Sequence, residues 1–393
     1  MRDRVAFPAI ILLLSSSCLY AQREKQIDTL INHYHPLIPL DKGLLLKNID
    51  VIANMRFGES NEFQDGTFER GHFNMDQFRL EIRGKVYDKV YFRFRDRYTR
   101  DPVTQSVDNI SRSTDLAYIR IDATPKWSFS MGKLCADWGG YEFDFNPIDI
   151  YEYNDIIEYA DNFLSGVQAG YKVSANQEFN FQMLNSRTKT FAELYDTIPG
   201  VTESKFPVAL VGNWRGTFAG GKFTTLWSAS FFQEAQKKDM NYIALGNQLN
   251  LNKWNIIYDF KWSNEGLDRK TIVTSIVPKS INPYAAEDVR YVEHWLRLEY
   301  RFHEKWSASV IGMVSDAYWY GNPDPHKNDH LRTAWGLIPV VEYFPFKDLP
   351  LKFFLNYVGR FYDYTTYARQ KFGAVNSTYS RIEIGFVTPL KIL

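Results

Sequence analysis

The chain has 393 residues, 45% hydrophobic, 16% aromatic and 23% charged, with 46 Lys and Arg against 46 Asp and Glu. These proportions exclude a disordered scaffold, no apolar run reaches the length of about 18 residues that a membrane-spanning helix needs, and zero formal net charge leaves no electrostatic footprint for nucleic acid. The 29 Phe, 25 Tyr and 10 Trp therefore have to be placed by alternation rather than in apolar blocks.

Residues 1–21 read as a secretory signal. Arg2 and Arg4 form a basic start, Val5 to Leu14 an apolar core, and Ser15 to Ser17 a small-residue tract, with cleavage expected after Ala21. Lipid attachment at Cys18 is the alternative, although Ser15 stands where a bulky aliphatic residue would be wanted. If Cys18 leaves with the signal, Cys135 is the only mature cysteine, so no disulfide and no cysteine-based metal site can form. In residues 22–48, Ile27, Leu30, Ile31 and Tyr34 have helical spacing that Pro36 and Pro39 cut short, which predicts a brief periplasmic extension.

From residue 49 onward the period is two. Phe78, Leu80 and Ile82 alternate with Arg79, Glu81 and Arg83; Phe92 and Phe94 with Arg93, Arg95 and Arg97; Leu296 and Leu298 with Arg297 and Glu299. Sixteen such segments are expected, the first Ile49–Phe57 and the last Tyr379–Thr388. The others start near residues 76, 90, 115, 127, 163, 177, 208, 222, 239, 251, 289, 306, 332 and 351, the one near Asp239 being the weakest. Short links such as Ala123–Lys126 and Ser174–Asn176 alternate with long ones such as Gly58–Phe73, Thr99–Ser113, Leu134–Asn162 and Asn264–Asp288. Segments of about ten residues in this rhythm predict an all-β fold, an antiparallel up-and-down transmembrane barrel of about 16 strands with short periplasmic turns and long extracellular loops, spanning residues 49–393. Rings near strand ends, among them Tyr98, Trp127, Trp254, Trp306 and Trp319, fit the two membrane boundaries.

The longest link, Leu134–Asn162, carries Asp137, Glu142, Asp144, Asp149, Glu152, Asp155, Glu158 and Asp161 with no Lys or Arg, and many apolar rings besides. A loop so apolar is expected to fold into the lumen and pack on the inner wall. Arg79, Arg83, Arg93, Arg95, Arg97 and Arg120, with Arg297, Arg301, Arg360 and Arg381 from later strands, are expected to line the pore opposite those acids. Arginines on one wall and acids on the other would set up a transverse field, and charge lining a constriction selects ions. Some of these arginines should instead pair with Glu81, Glu299 or Glu383 across strands.

The stretch Phe78-Arg79-Leu80-Glu81-Ile82-Arg83-Gly84-Lys85-Val86-Tyr87, leading into Tyr91-Phe92-Arg93-Phe94, resembles the phosphate-selective porin O and P family of Gram-negative outer-membrane channels, as does Met131-Gly132-Lys133. The resemblance implies a sixteen-stranded barrel, commonly a homotrimer, that passes small anions such as phosphate through an arginine- and lysine-lined pore. The wholly acidic long loop departs from that pattern. The expected function is a passive diffusion channel for small ions and polar solutes, with outer-membrane lipid around it and neither cofactor nor metal. Two other readings are an outer-membrane barrel enzyme and a secreted carbohydrate-binding β protein. Against the first, His72, His294, His303, His326 and His330 show no partner spacing that marks a site.

Overall fold

The computed structural model describes residues 48–393; the expected signal, Cys18 and the extension up to residue 47 lie outside the described residues. Sixteen antiparallel strands close into one barrel in which each strand pairs with its neighbours in sequence and β1 pairs with β16. The first eight are β1 (Ile49–Gln64), β2 (Thr67–Tyr87), β3 (Val90–Arg97), β4 (Thr114–Asp122), β5 (Trp127–Cys135), β6 (Phe163–Ser174), β7 (Gln177–Asn185) and β8 (Val208–Phe218). The second eight are β9 (Phe223–Ala235), β10 (Lys238–Leu251), β11 (Trp254–Leu267), β12 (Glu287–His303), β13 (Trp306–Trp319), β14 (His330–Tyr343), β15 (Lys352–Tyr364) and β16 (Ser377–Lys391). The segment near Asp239 is a full member, paired with both neighbours as β10.

Closure removes the sheet edges that an open sheet would leave bare within a bilayer. Alternation then sorts side chains into an outer and an inner set. Ile119, Met131, Leu337, Leu355 and Ile384 all stand about half exposed on the outside, with no second protein layer against them among the described residues. A soluble sandwich would have buried them.

Two expectations about the strand ends need correction. Gly58–Phe73 is not a loop: β1 and β2 run on through it as a hairpin turned at Asp65 (φ 50) and Gly66 (φ 79). Two successive residues with positive φ make the tight turn whose twist matches paired strands, and Asp-Gly is suited to it. Trp319 does not sit at a membrane boundary. It is 2% exposed and packs inward against Phe372 of the short helix Thr366–Phe372.

The inner wall is unequal. Over β9 to β15 it carries buried Leu226, Ile257, Trp295, Ile311, Ile338 and Phe354, an apolar surface that water in a lumen would not tolerate bare. Over β2 to β4 it carries Arg79, Arg93, Arg95, Arg97 and Arg120.

Candidate constriction and pore lining

The segment between β5 and β6 lies on the apolar part of the inner wall. Tyr141, Ile148 and Tyr151 enter the cluster of Leu226, Ile257 and Trp295, while Trp138, Ile156 and Ile157 join Leu184, Val211 and Tyr242. Each such side chain contributes about 1.5–3 kcal/mol relative to exposure in water.

Polar contacts fix the register of the loop. The N–H groups of Tyr141 and Glu142, which open the short helix Tyr141–Asp144, donate to the carboxylate of Asp259 at 3.0 and 2.7 Å. Glu142 pairs with Lys261, which also faces Glu293 at 3.5 Å, and all three side chains are fully buried. Glu142 accepts the N–H of Asn154 at 2.6 Å and Glu293 that of Ile156 at 2.5 Å, so one charged cluster ties the two ends of the loop together.

The acids of the loop do not face the lumen as a block. Asp137 and Asp144 pair with Arg215 (2.7 and 3.0 Å), Asp149 with Lys352 (2.6 Å), Glu152 with Arg381 (2.7 Å), Asp155 with Arg360 (2.6 Å) and Arg332, and Asp161 with Arg269 (2.6 Å). Among the described residues, Glu158 alone of the eight makes no ion pair within 4 Å, and it is exposed. The expectation of an acidic face set across the pore from a basic wall is therefore corrected in part: Asp137, Asp144, Glu152, Glu158 and Asp161 do border the cavity between the loop and the opposite wall, but all except Glu158 are ion-paired, and Glu142, Asp149 and Asp155 do not border it. Most of these carboxylates are matched by cations of the wall against which the loop lies, and a matched pair casts little field.

The cations that do this include Arg360 and Arg381 from the sequence-based set, but Arg215, Lys261, Arg269, Arg332 and Lys352 were missed. For the four on strands the signal was the inward phase, such as Asp259, Lys261, Ser263 and Glu265 between Tyr258, Phe260 and Trp262, whereas Arg269 lies in the connection after β11.

Between the loop and the opposite wall is a cavity of about 1570 Å³. Arg79, Arg83, Arg93, Arg95, Arg97, Arg120 and Arg381 border it. Arg297, Arg301 and Arg360 do not. Arg297 is held by Glu299 at 3.0 Å beneath the Phe145 ring, Arg360 is buried on Asp155, and Arg301 lies at a turn, donating to the carbonyl of Glu304 at 2.6 Å.

The bordering arginines are concentrated on few acids. Arg79, Arg95 and Arg97 converge on the buried carboxylate of Asp115 at 2.9, 3.3 and 2.7 Å. Glu81 takes Arg93 at 2.9 Å. Phe163 lies under both Arg95 and Arg97, which holds their planes toward the cavity. Arg100 and Arg112, from the loop after β3, border the same cavity and have no carboxylate within 4 Å among the described residues. Burial, and then the charges of Arg97 and Arg112, lower the proton affinity of Arg100 below the ordinary value.

A single-layer barrel, apolar outside and charged within, narrowed by an inserted loop, defines a porin, a channel rather than an enzyme. The model of the phosphate-selective porin O and P family matches residues 53–386, and the chain belongs to that family. It is accordingly a porin of the Gram-negative outer membrane.

No curated protein matches the sequence. Solved structures share the fold at low identity. The outer-membrane channel DcaP of Acinetobacter baumannii aligns over 86% of this chain and 96% of its own (12% identity, TM-score 0.57). OmpT of Vibrio cholerae in a trimer form aligns over 86% and 98% (11%, 0.51), and Salmonella typhi OmpF in complex with daunomycin over 86% and 98% (11%, 0.50).

Proposed function

We propose that this porin is a homotrimer whose pore prefers small anions, including phosphate, over cations of the same size. The observation that carries this reading is the convergence of Arg79, Arg95 and Arg97 on the single carboxylate of Asp115, with Arg100 and Arg112 bordering the same cavity. In the cluster at Asp115 three guanidiniums share one carboxylate, whereas the acids of the inserted loop are largely neutralised against the opposite wall. The family description supports the anion preference, and the trimer form of the V. cholerae barrel supports the assembly.

The guanidinium fork matches phosphate and carboxylate oxygens in pairs, so passing anions are stripped of water in stages. Asp115 keeps the cluster from repelling itself apart, and the cavity admits a solute without a conformational step.

The test is the reversal potential of the purified porin in a planar bilayer under a potassium chloride gradient. The wild type should favour chloride. Arg100→Gln with Arg112→Gln, both outside the strands, should move the potential toward that of potassium, and an unchanged potential would refute the assignment.

A further inference from the structure

The rim of the barrel has a step between β2 and β3. Strand β2 has 21 residues and β3 only 8. The ladder between them ends where Tyr98 N–H donates to the carbonyl of Phe78 at 2.9 Å, beside the rings of those two residues, which meet at a tilt with centroids 5.3 Å apart. Above that level Thr67–Gln77 pairs with β1 alone. Its other edge makes no backbone hydrogen bond among the described residues over eleven residues, about 35 Å of strand. The loop after β3 does not cover it, because Val107 N–H donates to Thr188 on the far side of β5. The outer face of the same hairpin shows Phe73 at 75% and Phe68 at 55% exposure.

A bare strand edge with aromatic side chains beside it is a template for pairing, and folded proteins normally cover or blunt it. Lipid chains cannot do so. They offer no hydrogen-bond partners, and this segment rises beyond the aromatic pair Phe78–Tyr98, where β3 ends. Above the bilayer water can bond the edge, and a partner that supplies extended backbone at that height would displace it. A second copy of the chain, inserted in the same membrane with the same orientation, places its own rim at that height. Below that level Phe94, Ile119 and Met131 stand exposed on the outer face of β3 to β5, so apolar surface adjoins the hairpin on that side of the barrel.

We propose that the free edge of Thr67–Gln77 is closed by extended backbone of a neighbouring copy, so that the β1–β2 hairpin clamps adjacent subunits together. This rests on the homotrimer reading given above. Main-chain bonds supply the pairing, and Phe68 and Phe73 enter the neighbour's surface as anchors.

The experiment places the photo-crosslinking amino acid p-benzoylphenylalanine at position 73 or, as control, at position 355 on the outer face of β15, in the full-length porin in outer membranes. Mass spectrometry then identifies the adducts. The expected result is a two-chain adduct from position 73 and none from position 355. In parallel, Phe68→Glu with Phe73→Glu should shorten the lifetime of the detergent-extracted trimer roughly tenfold or more, as loss of aromatic anchors does, with single-channel conductance unchanged. A stable trimer whose position 73 captures only lipopolysaccharide, another protein or nothing overturns the clamp and leaves the trimer standing. A wild-type porin that is monomeric but conducting removes both.

Discussion

Replacing Lys261 by Met keeps the length of the side chain and removes its charge. Glu142 and Glu293 would then be left facing each other, fully buried, with no cation between them. Taking one partner from a buried ion pair costs about 3–5 kcal/mol, because the remaining charge is stranded. The protein can escape this cost by releasing the loop, since Glu142 leaves with it. At about 1.4 kcal/mol per tenfold, the population with the loop out of the lumen should rise by roughly two to nearly four powers of ten. Single-channel conductance in a planar bilayer reads that directly, as more frequent and longer visits to a wider, noisier state. Protease added from the loop side should also begin to cut between residues 138 and 160. Glu142→Gln with Glu293→Gln in the Lys261→Met background removes the stranded charges and should restore most of the quiet, narrow state. If Lys261→Met conducts as the wild type does and resists protease equally, the buried cluster does not hold the loop.

Gly140→Ala tests the same anchor sterically. A Cβ there would meet the Asp259 carboxylate at 2.6 Å, and overpacking of this kind costs about 1–3 kcal/mol, so a milder version of the same conductance phenotype is expected. Neutralising Asp144, Asp149 and Glu152 together should shift the reversal potential toward anions, because Arg215 and Arg381, which border the cavity, each lose a counter-charge. Asp268, in the connection after β11, has its carboxyl pushed up to about 6 by burial and then by Glu265. A raised carboxyl binds its proton more tightly folded than unfolded, so this connection should lose stability as pH rises from about 4 to about 6. Hydrogen exchange over residues 268–286 should show that loss, and Asp268→Asn should flatten it.

The barrel was legible because one physical demand, apolar outside and polar inside, is imposed on nearly every strand and prints itself as alternation. Where that demand lapses, the reading failed. In the upper β1–β2 hairpin polar side chains occupy both faces, so Glu59-Ser60-Asn61-Glu62 and Glu69-Arg70-Gly71-His72 show no period and look like loop. The site was legible in its parts but not in its pairing. An acidic stretch can be seen in sequence, but its partners Arg215, Lys261, Arg269, Arg332 and Lys352 come from five different strands or connections, and only the closed fold brings them to it. Pairs close along or across the ladder fared better, because strand geometry alone sets them side by side: Arg93 with Glu81 across β2 and β3, and Arg297 with Glu299 and Arg381 with Glu383 two residues apart on one strand rather than across strands as expected from the sequence.

Sequestering the loop's charges separates two properties that ionic strength would otherwise change together. Dissolved ions screen exposed charges over about 8 Å at 0.15 M and about 3 Å at 1 M, but they scarcely reach buried pairs such as Glu142–Lys261. In brine the calibre of the passage should therefore stay put while its discrimination between anion and cation fades.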